Sequence, residues 1–253
     1  MKNNRIGVKK IDKDTYVLSE NKHHEKTHAY LLIGSKKALL IDALIGVEDI
    51  KEEVKKLTNL PVIVYISHAH YDHFVGAKNF KDIYINETDY DALFNYPISD
   101  EEVIKELSLF NQTFPDDFDV SRYKVEVLKE VKKVKEPLID LGNRKIKAIL
   151  TPGHTPGSLS FYEKERGYLF AGDLIYAGEL EAYYGGCNIF DYYASIKKIR
   201  KLNVKKIFTG HYKYFLNKDF VYRLDRAFYK VKKESKDFKI KGNYQFKNFS
   251  IHF

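Results

Sequence analysis

The stretch Ser67-His-Ala-His-Tyr-Asp-His73 directly follows a run of apolar residues that ends near Ile66. It places four possible metal ligands within six residues: His68, His70, Asp72 and His73. Side chains at positions i and i+2 of an extended loop point in the same direction, so His68 and His70 can bind one cation. The adjacent pair Asp72 and His73 can turn toward a second cation. We therefore expect this loop to supply ligands to two metal ions.

Three further candidate ligands share a local pattern, in which a strand-like apolar run is followed by glycine and then by the ligand. They are His154, Asp173 and His211. Glycine lets the chain turn sharply and come close to a bound group. Because several strand ends can meet at one edge of a sheet, we expect a single site with five histidines and two aspartates. The other four histidines lack this pattern and are expected to be packed or solvated: His23, His24, His28 and His252.

The spacing of apolar residues predicts an α/β protein. Two short apolar runs within 28–42 indicate a hairpin, and the first 45 residues are expected to form antiparallel strands. An amphipathic pattern predicts a helix over 47–57, and 61–67 has the composition of a buried strand. Further strands are expected at 145–150, 159–162, 168–171 and 205–209, and helices at 87–95, 100–110, 190–202 and 218–235. Strands interleaved with helices favour a layered fold with the helices outside the sheets.

Length and composition predict one globular domain over 1–253. Apolar residues make up 44% of the 253 residues, and the sequence shows no repeat and no Gly/Ser/Pro-rich linker.

Eighty residues separate His73 from His154, which is more than one strand and one helix require. Within them, 87–135 is charged and is expected to be largely helical. This segment is interpreted either as a lid over a substrate pocket or as a solvated insertion without function.

The single cysteine and the charge limit the partners. One thiol, Cys187, excludes an internal disulfide and paired-thiolate zinc fingers, which favours the cytoplasm. We expect that thiol to be inert, since no basic residue flanks it. The apolar runs are much shorter than the ~20 residues that span a bilayer, so no membrane segment is expected. The net charge of +8 suits an anionic substrate, but the lysines alternate with acidic residues as on solvated helices, which disfavours nucleic acid.

The seven candidate ligands resemble those of the metallo-β-lactamase superfamily, whose motif H-x-H-x-D-H is followed by separate His, Asp and His ligands. Thr151-Pro-Gly-His-Thr-Pro-Gly157 and Ala171-Gly-Asp173 also resemble that family. The resemblance implies a four-layer αβ/βα sandwich, here with the helical insertion. It implies a first metal on His68, His70 and His154, a second on Asp72, His73 and His211, and Asp173 as the bridge. Asp42 matches a family position that usually supports the ligands, and it is equally well interpreted as a turn residue.

The resemblance implies a hydrolase with two divalent metal ions. A metal-bound hydroxide, formed from water whose pKa is lowered to roughly 7, would attack an ester, thioester or lactone of a small molecule. Zinc is favoured, and iron or manganese also suit imidazole and carboxylate ligands. Asp72 is a candidate for holding the proton of the nucleophile. At the spacing of Tyr176, the sequence resembles lactonases in which a tyrosine donates a hydrogen bond to the leaving group; a packed tyrosine is the alternative.

Three alternatives remain open. A nucleic-acid phosphodiesterase of the same superfamily would use the same metals and would account for the positive charge. A persulfide-type dioxygenase would use one iron on two His and one Asp, which leaves the other ligands unexplained. A non-catalytic binding module would not need all seven ligands.

Because only 42 residues follow His211, the C-terminal segment of glyoxalase II has no full counterpart, which disfavours a glutathione thioester. Nothing in the sequence predicts an oligomeric state.

Overall fold

The computed structural model describes residues 6–20, 24, 26–95, 98–109, 114 and 118–253. The chain divides into two compact units, and the predicted single domain stays a prediction. The first unit comprises Met1–Val134 and Leu141–Arg144, and the second comprises Lys135–Asp140 and Lys145–Phe253. His23 lies outside the described residues.

The first unit is built on a seven-stranded sheet whose strands follow one another in chain order. These strands are β1 (Ile6–Asp12), β2 (Thr15–Glu20), β3 (His28–Ile33), β4 (Ala38–Ile41), β5 (Val62–Tyr65), β6 (Ile83–Asn86) and β7 (Val131–Val134). The pairs from β1 to β4 are antiparallel, and the pairs from β4 to β7 are parallel. The predicted hairpin, the antiparallel N-terminal strands and the buried strand β5 are therefore confirmed.

Helix α1 (Ile50–Leu57) covers part of this sheet and begins three residues later than predicted. The side chain of Asp49 accepts the backbone N–H of Lys51 at 2.9 Å, so that residue caps the helix. Acidic residues in the first turn and lysines in the last turn complement the helix dipole. Ile50 and Val54 face the core, as the amphipathic spacing predicts.

The chain leaves β5 and enters the ligand loop, which ends in a one-turn helix, α2 (Tyr71–Phe74). The prediction of an extended loop holds at His70, whose backbone is extended (φ −96°, ψ 142°), but not at 67–69, where the chain bends. It is wrong for Asp72 and His73, which lie on α2. The helical turn brings these two neighbours onto the buried side of the unit, where Tyr71 and Phe74 are also buried.

The segment 87–135 contains less helix than predicted. Its described part holds α3 (Asp100–Leu107), 3-10 turns at Asp91–Leu93 and Val120–Arg122, and strand β7 at the sheet edge. Ser99 and Glu102 form a capping box that fixes the start of α3. The helical prediction is wrong for Val131–Val134, because the backbone of this short stretch pairs with β6. Residues 96–97, 110–113 and 115–117 lie outside the described residues, and the role as a lid stays a prediction.

The second unit contains a six-stranded sheet in the order β14-β13-β11-β10-β9-β8 and a three-stranded sheet in the order β12-β16-β15. Their bounds are β8 (Leu138–Asp140), β9 (Lys145–Leu150), β10 (Leu159–Glu163), β11 (Tyr168–Phe170), β12 (Glu179–Glu181), β13 (Lys206–Phe208), β14 (Phe215–Asn217), β15 (Asn243–Phe246) and β16 (Phe249–His252). The four strands predicted in this region are confirmed as β9, β10, β11 and β13.

Two helices, α4 (Ile189–Arg200) and α5 (Asp219–Glu234), pack on each other in the second unit, close to the predicted bounds. The Asn188 side chain accepts the N–H groups of Phe190 and Asp191 and so caps α4. Stacked rings of Tyr192 and Phe228, with centroids 5.4 Å apart, join the two helices. No helix in the described part of the chain combines the length and apolar character needed to span a membrane.

Candidate metal centre

The first cluster of ligands, His68, His70, Asp72 and His73, lies in the first unit. The possible coordinating atoms of His68 lie within 4.8 Å of those of His70 and of His73, and those of Asp72 lie within 4.8 Å of those of His73. His73 Nε2 is 3.3 Å from Asp72 Oδ2. His70 is half-buried and the other three are buried. Imidazole nitrogens and carboxylate oxygens are donors that suit divalent metal ions.

Asp42 orients the last histidine of this cluster. Its Oδ2 accepts a hydrogen bond from His73 Nδ1 at 3.1 Å, which leaves Nε2 directed toward Asp72. The same carboxylate accepts the backbone N–H and the hydroxyl of Ser67, at 2.6 and 2.9 Å. A carboxylate behind a histidine fixes the tautomer and orientation of the ring at metal sites. These contacts favour the supporting role of Asp42, although it also turns the chain after β4 with φ +60°.

Other groups hold the first cluster in place, and the sequence reasoning missed two of them. The Ser67 hydroxyl donates to Asp42 and therefore accepts from His68 Nδ1, 3.0 Å away. Asp89 Oδ2 accepts the backbone N–H of Ala69 at 3.3 Å, and Thr27 Oγ1 donates to Asp72 Oδ2 at 3.3 Å. Thr27 and Asp89 are far from the loop in sequence and belong to no ligand motif, so only the fold reveals them.

The second cluster of ligands, His154, Asp173 and His211, lies in the second unit. Asp173 Oδ2 is 2.9 Å from His211 Nε2 and 3.5 Å from His154 Nε2. All three side chains are buried. One carboxylate oxygen thus faces two imidazoles that come from different loops. The imidazole and carboxylate groups of this cluster are donors that suit a divalent metal ion.

Backbone carbonyls and a tyrosine support the second cluster. His154 Nδ1 donates to the carbonyl of Glu181 at 3.2 Å, so its Nε2 faces Asp173. The hydroxyl of Tyr192 lies 2.7 Å from the carbonyl of Asp173 and donates to it. A Cβ at Gly153, whose φ is +143°, would stand 2.3 Å from the Cα of Tyr192. Tyr192 on helix α4 therefore positions both the loop of His154 and the loop of Asp173. The sequence did not single out this residue, because tyrosine is common in this chain.

Tyr176 lies beside the second cluster, with its ring centroid 5.6 Å from that of His211. Its hydroxyl donates to the backbone carbonyl of Glu179. Burial raises the pKa of Tyr176 well above its usual value, so the phenol keeps its proton. The predicted catalytic role stays a prediction. To donate a hydrogen bond to a leaving group, this hydroxyl would first have to break its hydrogen bond to the carbonyl of Glu179.

Two further titratable groups adjoin the second cluster. Burial, followed by the charge of Asp173, raises the pKa of Glu181 to about 7. Burial also raises the pKa of Cys187 to about 11, and its thiol donates to the carbonyl of His154 at 2.9 Å. These features agree with the expectation that the Cys187 thiol is inert.

Two histidines outside the ligand set are engaged elsewhere, as expected. His28 Nδ1 lies 2.7 Å from the hydroxyl of Ser19 within the core of the first unit. His252 Nδ1 lies 2.7 Å from Glu179 Oε1 in the second unit. Their partners account for both residues without a metal.

Fold and side chains together define an α/β protein in which imidazole and carboxylate groups suited to divalent metals cluster just beyond strand ends. The family model of the metallo-beta-lactamase superfamily matches residues 25–211, a range that contains all seven candidate ligands. The chain belongs to the metallo-beta-lactamase superfamily. The family, the fold class and the hydrolase class predicted from the sequence are thereby confirmed.

Two relatives share about a quarter of their aligned residues with this chain. An acyl-coenzyme A thioesterase, MBLAC2 of Gallus gallus, is 26% identical over 209 residues, which are 75% of this chain and 74% of the relative. A hydroxyacylglutathione hydrolase of Bartonella tribocorum is 27% identical over 149 residues, or 58% of this chain and 47% of that protein. A solved metallo-beta-lactamase family protein from Thermus thermophilus superposes with a TM-score of 0.65 at 17% identity, covering 92% of this chain and 85% of the other. At 17% identity, this structural similarity supports the fold and nothing more.

Proposed function

We propose that the protein is a dinuclear metal-dependent hydrolase that cleaves thioesters of small molecules. The observation that carries the proposal is the position of Asp173, whose Oδ2 faces the Nε2 atoms of both His154 and His211. A carboxylate with a single imidazole partner would suit one metal ion. One carboxylate oxygen shared by two imidazoles on different loops suits a bridge between two ions.

The proposal combines the two clusters in one centre. His68, His70 and His154 would hold one ion, and Asp72, His73 and His211 the other, with Asp173 in contact with both. All seven supply nitrogen or oxygen donors, which suits zinc first and iron or manganese as alternatives. Support comes from the hydrogen bonds behind the ligands, since His73 and His154 both donate through Nδ1 and so keep Nε2 for a metal.

When bound, the ions would polarise the scissile carbonyl and lower the pKa of a water molecule to roughly 7. The residues of the chain then have separate tasks. Two ionised aspartates leave two divalent ions with net positive charge, which favours an anionic substrate and the oxyanion that develops during acyl transfer. Thr27 donates to Asp72 Oδ2, which keeps this carboxylate oriented to hold the proton of the nucleophile.

The choice of thioesters rests on the chemistry of two relatives. The names acyl-coenzyme A thioesterase and hydroxyacylglutathione hydrolase both describe the cleavage of a thioester. A thiolate is a good leaving group, so such a reaction does not depend on Tyr176 as an acid. The single cysteine, Cys187, supports a reducing compartment and hence the cytoplasm, where such thioesters occur.

The decisive experiment is metal analysis of protein purified without added metal, followed by assays on thioesters, lactones, phosphodiesters and RNA. We expect close to two equivalents of metal per chain and the highest kcat/KM on a thioester. One equivalent of iron together with oxygen consumption would instead indicate the dioxygenase. A protein that binds no metal, or that cleaves only RNA, would refute the proposal.

A further inference from the structure

A groove in the second unit combines positive charge with two phenylalanines. It is an open pocket of about 270 Å³ between helix α5 and the hairpin of β15 and β16. Its cationic and aromatic lining residues, named here the basic groove, are Arg223, Arg226, Lys230, Phe246, Lys247 and Phe249. The three that belong to α5 are spaced at i, i+3 and i+7, which places them on one face of the helix.

Arg223 is held in a fixed orientation inside the basic groove. Its guanidinium carbon lies 5.0 Å from the ring centroid of Phe220 and 5.6 Å from that of Phe249. One of its N–H groups donates to the backbone carbonyl of Lys247. A guanidinium has five N–H donors in a planar fork, so this one retains donors for a ligand while losing little conformational freedom on binding.

The positive charge of the basic groove is only partly compensated. Lys230 Nζ is 3.6 Å from Glu234 on the same helix. Within the described ranges, neither Arg226 nor Lys247 has a carboxylate within the 4.0 Å of an ion pair, and no acidic side chain lines the groove. Four cations therefore line one pocket, and the single carboxylate paired with any of them, that of Glu234, lies outside its lining. Such a pocket attracts anions.

We propose that the basic groove binds the phosphate groups of a phosphorylated thiol carrier, so that the thioester substrate is an acyl-coenzyme A rather than an acyl-glutathione. This inference rests on the proposed thioester hydrolysis. Arg recognises phosphate through paired N–H groups, and several phosphates match four cations better than the two carboxylates of glutathione do. The metal centre does not explain the net charge of +8, whereas phosphate binding in the basic groove gives four of the positive residues a function.

The position of the groove in its own unit agrees with such a substrate. Strand β16 begins at Phe249 in the groove and ends at His252, which is paired with Glu181 on β12. Glu181 is the residue whose carbonyl holds His154. A four-residue strand rises about 10 Å between its first and last residues. The groove and the second cluster thus lie toward opposite ends of β16, and a carrier must have a long arm between its sulfur and its phosphates, as coenzyme A has.

The test begins with direct binding, which needs no enzymatic activity. 3′-Phosphoadenosine 5′-phosphate, the phosphorylated end of coenzyme A without its thiol arm, is titrated calorimetrically into the metal-loaded protein. The double variant R226Q/K247Q removes two exposed cations of the groove. The double variant K239Q/K241Q removes two exposed lysines that do not line it and so matches the change in net charge.

We expect R226Q/K247Q to raise the dissociation constant at least about tenfold, because hydrogen bonds to charged groups are lost. The KM for an acyl-coenzyme A should rise to a similar extent with kcat unchanged, whereas the KM for the same acyl group on pantetheine, which lacks phosphate, should not change. R223K keeps the charge but loses the planar fork, and it should also weaken binding. K239Q/K241Q should behave as the wild type.

Equal effects of the two double variants would overturn the inference, because net charge alone would then explain binding. The inference also fails if the wild type does not bind the nucleotide, or if the pantetheine thioester is affected as strongly as the coenzyme A thioester. Groove-dependent nucleotide binding by a protein that cleaves no thioester would support the phosphate site and refute the proposed function, so the two failures are distinguishable.

Discussion

The two ligand clusters are built in different ways. The first cluster takes four ligands from six consecutive residues after β5, and the side chain of Asp42 orients its last histidine. The second takes three ligands from loops after β9, β11 and β13, and the backbone carbonyl of Glu181 orients His154. A local motif needs only one strand and one turn to form. A dispersed cluster depends on the correct packing of a whole unit, so the second should be the more sensitive to changes in its supporting core.

The largest effect is expected at the carboxylate of the second cluster. D173A removes the oxygen that faces His154 and His211, so we expect kcat/KM to fall by more than about 100-fold, beyond the usual loss for a residue that only supports a ligand. Metal content should fall by about one equivalent per chain. Steady-state assays and elemental analysis of the purified variant measure both effects.

D191A provides the matched control, since Asp191 is an exposed residue near the start of α4 in the same unit. It should keep its metal and its activity. An active D173A protein with two metal equivalents would show that Asp173 does not join the two ions, and the contrast between the clusters would then lose its main support.

A smaller effect on zinc affinity is expected at the two residues that orient histidines. Asp42 acts on His73 through its side chain, and Glu181 acts on His154 through its backbone carbonyl. D42N keeps a residue type that tolerates φ +60° but weakens the acceptor for His73 Nδ1, so zinc affinity should fall by about 10- to 100-fold. E181Q retains the carbonyl that holds His154 and should change zinc affinity far less. Competition with a chromophoric chelator measures both constants. Equal losses in the two variants would mean that the clusters are supported in the same way.

The same contrast explains how much could be predicted from the sequence. The candidate ligands His68, His70, Asp72 and His73 stand close together in the sequence, and the strand-glycine-ligand pattern pointed to His154, Asp173 and His211. The structure places each group of side chains in a cluster within its own unit, and their role as metal ligands stays a prediction. Apolar spacing located α1, α4 and α5 and the buried strands β5 and β9 to β11, because packed elements leave a trace in the sequence. It did not locate the strands β6, β8, β12 and β14 to β16.

Other features could not be predicted, for physical reasons. Tyr192 acts through a hydroxyl that meets the carbonyl of Asp173, a long-range contact that no local pattern encodes. Strand β7 has only four residues and lies at a sheet edge. Its two adjacent lysines are both exposed, so the sequence lacks the alternation of apolar and polar residues that predicts a strand. The one-turn helix α2 is too short to show any period, so Asp72 and His73 were expected on an extended loop.

Buried acids beside the clusters predict a pH effect on stability. Burial raises the pKa of Glu20, in the first unit, from its usual 4.5 to about 8. The folded state then holds this proton more tightly than the unfolded state, so ionisation lowers stability as the pH rises from about 4.5 to about 8. In chelator-treated protein, E20Q should gain stability relative to the wild type across that window by a few kcal/mol, since each pKa unit is worth about 1.4 kcal/mol.

Denaturant unfolding at pH 5 and pH 8.5 measures this difference. E101Q changes an exposed glutamate on α3 of the same unit and should show no such trend. A gain by E20Q that is the same at both pH values would mean that Glu20 ionises normally in the folded protein.

The smallest effect is expected at Cys187, next to the second cluster. Its thiol donates to the carbonyl of His154, and burial raises its pKa to about 11, so at neutral pH the thiol keeps its proton and is a poor nucleophile. C187S preserves a donor to the same carbonyl and should leave kcat, KM and metal content nearly unchanged. Alkylation of the wild type under native conditions should be slow for the same reason. A loss in C187S as large as that in D173A would place the thiol in the second cluster and make that cluster, unlike the first, dependent on sulfur.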